Sequence, residues 1–175
     1  MALRVAHESS ESGPAGAARS PSPLVVGFGN VLLGDDGAGV RLVERLRSEH
    51  QLRGCEFVDG GTMSFSLLSY VEATDSMLVV DAAELHGAPG TVALFDGAAM
   101  DDFLKGGRRR SVHEVGLIDL MDIARLCDCL PHRRALLCVQ PGPIAWGESL
   151  SSRVEEGLME AALQARALLN RWATT

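Results

Sequence analysis

Four acidic residues and one histidine are the side chains of this sequence whose types and spacing could do chemistry. Asp35 and Asp36 follow the glycine-rich stretch GFGNVLLG, Asp59 follows CEFV, and Asp81 closes the apolar run MLVV. His113 stands two residues after Ser111, next to the segment EVGL. Carboxylates and neutral imidazole are the groups that bind metal ions and transfer protons. Together they predict a metal-binding or acid–base site, provided that the fold brings them together.

Each of these residues also has a purely structural interpretation. Asp35 or Asp36 could cap the helix that follows, because Asp is a favoured N-cap residue. Asp59 precedes Gly-Gly and could simply form a turn, and a histidine near a helix start is often a surface residue. Asp81 is harder to explain in this way, since it ends a run that should be buried, and a buried carboxylate needs a partner.

Apolar runs and amphipathic segments alternate along the chain and predict the elements that would position these side chains. Five strands are predicted, at LVVGFG, CEFVDGGT, MLVVDA, TVALFD and RALLCVQP. Helices are predicted at about 37–50, over SFSLLSYVEA, at about 112–127, and from 152 towards 172. Two capping-box pairs mark helix starts, Ser111 with Glu114 and Ser152 with Glu155.

The alternation predicts an α/β fold: a three-layer α/β/α sandwich around a mostly parallel five-stranded sheet with one antiparallel strand. The loop with Gly87, Pro89 and Gly90 predicts a local hairpin between MLVVDA and TVALFD, which would supply the antiparallel strand. Residues 1–23 are rich in Ser, Ala, Gly and Pro and predict a disordered tail. Residues 24–175 then form a single domain.

Parallel topology would gather the acidic residues in one crevice. Ligands of open α/β sheets bind outside the carboxyl ends of the strands. The first three strands lead into or end at acidic residues: Asp35 and Asp36, Asp59, and Asp81. His113 would join them from the first turn of a helix, where the positive end of the helix dipole favours neutral imidazole.

Composition excludes several classes of partner. The net charge of -7 argues against a nucleic-acid partner, because binding to phosphates depends on clustered Lys and Arg. No run approaches the roughly 18 apolar residues of a spanning helix, and none resembles a signal peptide, so we expect no membrane partner and a cytoplasmic location. The four cysteines lack the pairing of a zinc site, and we expect them to be structural and reduced: Cys55, Cys127, Cys129 and Cys138.

A dinucleotide-binding loop is also excluded. The fingerprint G-x-G-x-x-G fits Gly27 and Gly29 but fails at its third glycine, where Leu32 stands. Asp35 and Asp36 would also repel a pyrophosphate at this position.

Four motifs, in this order, resemble the nickel–iron hydrogenase maturation endopeptidases. They are GFGNVLLGDDGAGV, DGGT at 59–62, VVDA ending at Asp81 and Ala82, and HEVGL at 113–117. The resemblance covers Leu24 to about Trp172. It implies a small α/β peptidase that removes the C-terminal tail of a hydrogenase large-subunit precursor after nickel insertion, which activates the hydrogenase.

The resemblance also implies the site residues. The three positions that contact metal in the family fall on Asp36, Asp81 and His113, which are then also the catalytic residues. A supporting cleft is implied at Gly27, Gly29, Asn30, Asp59, Gly60, Gly61 and Thr62. Nickel is expected to arrive with the substrate rather than to be tightly bound, and Asp35 is left to cap the following helix. We expect a monomer.

The sequence leaves open the mechanism and two other functions. The scissile peptide bond could be broken with the help of the metal, or by two carboxylates acting as an acid–base pair, as in aspartic proteases. The same three residues could serve a non-catalytic, nickel-sensing chaperone. A peptidyl-tRNA hydrolase-like enzyme would share the opening strand and glycine–asparagine turn, but it would need a basic face.

Overall fold

One mixed sheet of five strands forms the centre of the molecule. A computed structural model describes residues 19–20, 22–61, 65–106 and 114–174. The strands are Leu24–Phe28 (β1), Glu56–Gly61 (β2), Ser76–Ala82 (β3), Val92–Asp96 (β4) and Arg133–Val139 (β5), in the order β2-β1-β3-β5-β4. Only β4 pairs antiparallel, with β5, whereas the other neighbours are parallel. The predicted sheet, mostly parallel with one antiparallel strand, is confirmed.

Helices cover both faces of this sheet. They are Ala38–Arg47 (α1), Leu68–Glu72 (α2), Ala98–Lys105 (α3), Glu114–Leu126 (α4) and Ser152–Ala173 (α5). Helices α1 and α5 bury their apolar stripes against one face, and α2, α3 and α4 bury theirs against the other, so that two separate apolar clusters form. The three-layer sandwich is therefore confirmed. Helix α3 was not predicted, because AAMDDFLK is too short to show a clear helical period.

Strand β3 lies in the middle of the sheet, and its sequence shows why. All seven of its residues are buried, as expected for a parallel strand covered on both faces. Leu78 and Val80 belong to the cluster under α1 and α5, while Met77 and Val79 belong to the cluster under α2, α3 and α4. Because side chains alternate along a strand, Asp81 points to the α2–α4 side.

The predicted hairpin between the third and fourth strands is wrong. Strand β5 lies between β3 and β4, and it pairs with β3 over seven residues. The chain from β3 therefore passes the end of β5 before β4 begins. Gln140 holds this connection, because its Oε1 accepts from Leu85 N at 2.6 Å and its backbone carbonyl accepts from Gly90 N at 2.8 Å. Strand β4 is left at the edge, where no residue is fully buried.

The folded part begins before residue 24, so the predicted boundary of the tail is too late. Arg19 Nη1 donates to Asp75 Oδ1 at 3.2 Å, and Ser20 N donates to Ala73 O at 2.7 Å. Pro23 is buried. Residues 1–18 and 21, where the rest of the predicted tail falls, lie outside the described residues.

The start of α5 differs from its prediction by one residue. Ser151, not Ser152, is the N-cap, and its hydroxyl accepts from Val154 N at 3.4 Å. Glu155 N donates to the Ser151 carbonyl, as the first intrahelical bond. The other predicted cap, Ser111, lies outside the described residues.

The four cysteines are all free thiols. Cys127 lies in an exposed turn after α4, whereas Cys129 and Cys138 are buried. Burial raises the pKa of the Cys129 thiol and so keeps it protonated. In the part of the chain that the structure covers, no helix combines the length and the apolar character needed to cross a membrane.

Candidate functional site

The loops at the carboxyl edge of the sheet form the candidate site. Strands β1, β3 and β5 are parallel, so the segments that follow them, 29–37, 83–91 and 140–151, leave the sheet on the same side. The end of β2 joins them, because Gly29 N donates to Gly61 O at 2.9 Å. This edge is where ligands of open α/β sheets bind.

Asp36 lies in a short 3-10 turn, Gly34–Gly37, between β1 and α1. The residue is 6% exposed, and its carboxylate accepts from Asn30 N at 3.0 Å. Asn30 in turn accepts from Leu32 N through its own side chain, also at 3.0 Å. These bonds close the loop upon itself and fix the carboxylate. Since the turn packs against β3, Asp36 is held beside the strand that carries Asp81.

Asp81 is the penultimate residue of β3, in register with Cys138 of β5, and it is 4% exposed. Asp36 and Asp81 are separated by more than forty residues in sequence but lie on contacting segments at one sheet edge. The segments that carry the two carboxylates therefore contact each other, and the convergence of the carboxylates themselves stays a prediction. Two buried carboxylates can ligate a metal or act as an acid–base pair.

His113 lies outside the described residues, so its place in the site stays a prediction. The helix that follows it, α4, begins at Glu114 and leads into β5, which is parallel to β3. The N-terminal end of α4 therefore lies at the carboxyl edge. Helix α4 covers the face of the sheet to which Asp81 points.

Asp35 does not cap the helix that follows it, and this prediction is wrong. No side chain caps the 3-10 turn or α1. The buried Asp35 carboxylate instead accepts three hydrogen bonds from across the molecule: Gly142 N at 2.9 Å, Ser151 N at 2.6 Å and Ser151 Oγ at 2.8 Å. It fastens the N-terminus of α5 and the loop after β5 to the turn that carries Asp36.

The first three residues of the DGGT motif, Asp59 to Gly61, form the end of β2. Asp59 is exposed, and its Oδ1 accepts from Gly61 N at 2.8 Å. A side chain at Gly60 would meet the Val26 side chain at 2.9 Å, so this glycine is explained by packing. Thr62 lies outside the described residues. Asp59 thus fits its structural interpretation, and it shares the sheet edge with the two buried carboxylates.

The glycines of the first motif let α1 approach the sheet. A Cβ at Gly27 would lie 2.5 Å from the Gly39 carbonyl oxygen, and one at Gly29, where φ is +140°, would lie 2.2 Å from the Asp36 carbonyl oxygen. The space that these glycines leave is filled by the protein's own backbone. They position the Asp36 turn through packing, and the glycine-rich pattern reflects that contact.

We expect Gly39→Ala to destabilise the protein by about 2–3 kcal/mol, because the added methyl would overpack the interface between α1 and the sheet. A Cβ at Gly39 would lie 2.3 Å from the Phe28 carbonyl oxygen and 2.4 Å from that of Val80. Both neighbours are strand backbone, which cannot move aside. Urea unfolding monitored by circular dichroism measures the change.

Gly54→Ala is the matched control, since nothing lies within 4 Å of a Cβ there. We expect its stability to stay within about 0.5 kcal/mol of the parent. Equal midpoints for the two variants would contradict the packing role of Gly39.

Gln140 belongs to the site edge but was missed in the sequence. It is buried, and besides Leu85 N its side chain contacts Glu84, to which its Nε2 donates at 3.2 Å. The His86 backbone amide and then the Gln140 side chain hold the pKa of Glu84 below its usual value. A glutamine directly after an apolar strand was the available signal, because a buried amide needs partners.

The two carboxylates do not make a complete metal site within the described residues. No group of three or more His, Cys, Asp or Glu side chains there is arranged to hold a metal ion. Carboxylates are hard oxygen donors, and a pair of them leaves most coordination positions to other ligands.

Comparison with known protein sequences points to one family. Residues 40–166 match the model of the hydrogenase maturation protease family. The hydrogenase expression/formation protein HupM of Azotobacter chroococcum is 34% identical over 152 residues, with 86% of this chain and 72% of that protein covered. The hydrogenase 2 maturation protease of Escherichia coli is 32% identical over 143 residues, with 81% and 85% covered.

Solved structures give the same result. The hydrogenase maturating endopeptidase HybD from E. coli superimposes with a TM-score of 0.77 at 30% identity, covering 86% of this chain and 93% of that one. The hydrogenase maturation protease HybD from Thermococcus kodakarensis gives 0.73 at 27% identity, covering 85% and 99%. This chain therefore belongs to the hydrogenase maturation protease family.

Proposed function

We propose that this protein is the cytoplasmic endopeptidase that removes the C-terminal tail from the nickel-loaded large-subunit precursor of a nickel–iron hydrogenase. The observation that carries the proposal is the pair of buried carboxylates, Asp36 and Asp81, on contacting segments at the carboxyl edge of the sheet. The relatives named above are described as hydrogenase expression/formation and maturation proteins, which supports a precursor as the substrate.

In this proposal the nickel ion is part of the substrate. Asp36 and Asp81, with His113 as a third group, would complete its coordination from across the interface. The scissile peptide is then placed correctly only when nickel is present, so the metal acts as a checkpoint.

Two chemical steps are compatible with this arrangement. Nickel in the substrate would polarise the scissile carbonyl or supply bound water, or the two carboxylates would act as an acid–base pair on free water. In the first case kcat depends on which metal the precursor carries. In the second case the metal affects binding of the precursor, and kcat for bound precursor is the same with each metal that is accepted.

We expect nickel-free precursor to resist cleavage at every enzyme concentration, while nickel-loaded precursor loses its tail. The reason is that the carboxylates have no ion to bind in the metal-free form, so the peptide is not oriented. Intact-mass spectrometry of the large subunit after incubation measures the loss.

Both precursor forms are incubated in parallel with the same enzyme preparation. Efficient cutting of the metal-free form would overturn the checkpoint. An unchanged mass together with transfer of nickel would identify a chaperone instead of a peptidase.

A further inference from the structure

Three large apolar side chains are exposed on two adjoining loops beside the candidate site. Leu32 is 47% exposed, Ile144 is 49% exposed and Trp146 is 84% exposed. We call these three residues the apolar rim. Single exposed apolar residues are common on protein surfaces, but a group of them beside a functional site indicates a binding surface.

The two loops that carry the apolar rim are joined by backbone hydrogen bonds. Gly147 N donates to Leu32 O at 2.9 Å, and Gly34 N donates to Gly147 O at 2.6 Å. Residues 33 and 147 form an isolated β-bridge. These contacts place the residues next to Leu32 and Trp146 side by side. The rim therefore has a fixed backbone, which lowers the entropy lost when a partner binds.

The far end of the same loop is fixed by the site itself. Asp35 accepts from Gly142 N, two residues before Ile144, and it immediately precedes Asp36. Leu32 is four residues from Asp36, so their Cα atoms are at most about 14 Å apart. An extended peptide whose scissile bond lies at Asp36 would reach Leu32 within about four residues.

We infer that the apolar rim binds an apolar segment of the precursor's C-terminal tail, close to the scissile bond. This inference rests on the proposed function. The tail is the part of the precursor that can extend over the loops while the folded, nickel-bearing part faces the carboxylates. A contact made by the tail is also lost to the mature subunit once the bond is cut, so the product can leave. Tryptophan is the residue type most often found at the energetic centre of such contacts.

The first test is binding, read without cleavage. The chain has two tryptophans, of which Trp146 is exposed and Trp172 is 8% exposed. Protein labelled with 5-fluorotryptophan gives one fluorine resonance for each, assigned with Trp146→Phe. Unlabelled nickel-loaded precursor, added to labelled Asp81→Asn protein so that the tail is not cut, is expected to shift the Trp146 resonance and leave that of Trp172 in place. Mature large subunit, which lacks the tail, is expected to shift neither.

The second test is kinetic, with nickel-loaded precursor. Trp146→Ala is expected to raise KM at least about tenfold and to leave kcat within about threefold, since it removes binding and not chemistry. Ile144→Ala should also raise KM. It controls for the case in which Trp146→Ala acts only by distorting its loop. Leu163→Ala is the matched control, because Leu163 is exposed on α5 outside the two loops.

Each contrary result overturns the inference in a distinct way. Unchanged KM in both rim variants would show that the rim binds nothing in this reaction, and a loss of kcat alone would place Trp146 in the chemistry. An equal fluorine shift with mature subunit would assign the rim to the body of the subunit. A concentration-dependent dimer that Trp146→Ala abolishes, with KM unchanged, would assign it to a second copy. If the wild-type protein cuts no precursor, the proposed function fails, while the fluorine shift still reports on the rim.

Discussion

Asp36→Asn and Asp81→Asn are each expected to reduce the rate of tail removal by at least about 100-fold, with the fold intact. Asparagine keeps the size of the side chain and one acceptor oxygen, so the bond from Asn30 N to residue 36 can persist. It lacks the negative charge that binds a metal or takes a proton. Both carboxylates are required in either chemical step, because each step depends on charge at the sheet edge.

The measurement is single-turnover cleavage of nickel-loaded precursor, with circular dichroism and thermal melting as checks on folding. Asp102→Asn, an exposed position on α3, is the control and should cut at the wild-type rate. Normal processing by either site variant, in protein that melts like the parent, would remove that residue from the site.

Asp35→Ala is expected to destabilise the protein by about 3–5 kcal/mol, which is the largest effect on stability that we expect. The substitution removes a buried carboxylate that accepts three hydrogen bonds and leaves the Gly142 and Ser151 amides without this acceptor. For a chain of this size the melting temperature should fall by roughly 10 °C. Chemical unfolding and calorimetry measure the two quantities.

Ser151→Ala provides the comparison for Asp35→Ala. It removes one of the three bonds and the cap of α5, and we expect a loss of about 1 kcal/mol. Because the two residues share a bond, the double variant should lose less stability than the sum of the single variants. Strict additivity would contradict the bond between the Asp35 carboxylate and the Ser151 hydroxyl.

The part of the site that follows from parallel topology was predictable. Continuous apolar runs identified the central strands, and an acidic residue after or at the end of a run had to lie at the carboxyl edge. That argument brought Asp36 and the end of β3 together, although the sequence separates them by a complete helix, a strand and a second helix. It also predicted a crevice at this edge before any motif was considered.

The part that depends on long-range pairing was not predictable. The third and fourth strands are neighbours in sequence, and a glycine- and proline-containing loop between two strands usually forms a hairpin. Here β5 provides β3 with a parallel partner and displaces β4 to the edge. Asp35 was misjudged for a related reason, since its partners are 107 and 116 residues away. Local capping rules cannot detect such a contact.

The three bonds to Asp35 have a further consequence for how the molecule loses its activity on heating. Two of them join the start of the 22-residue α5 to the turn that carries Asp36, so neither segment can open locally without releasing the other. Such segments behave as one cooperative unit. Heat inactivation and melting of the C-terminal helix should accordingly be a single event, with no partly opened form that still processes its substrate.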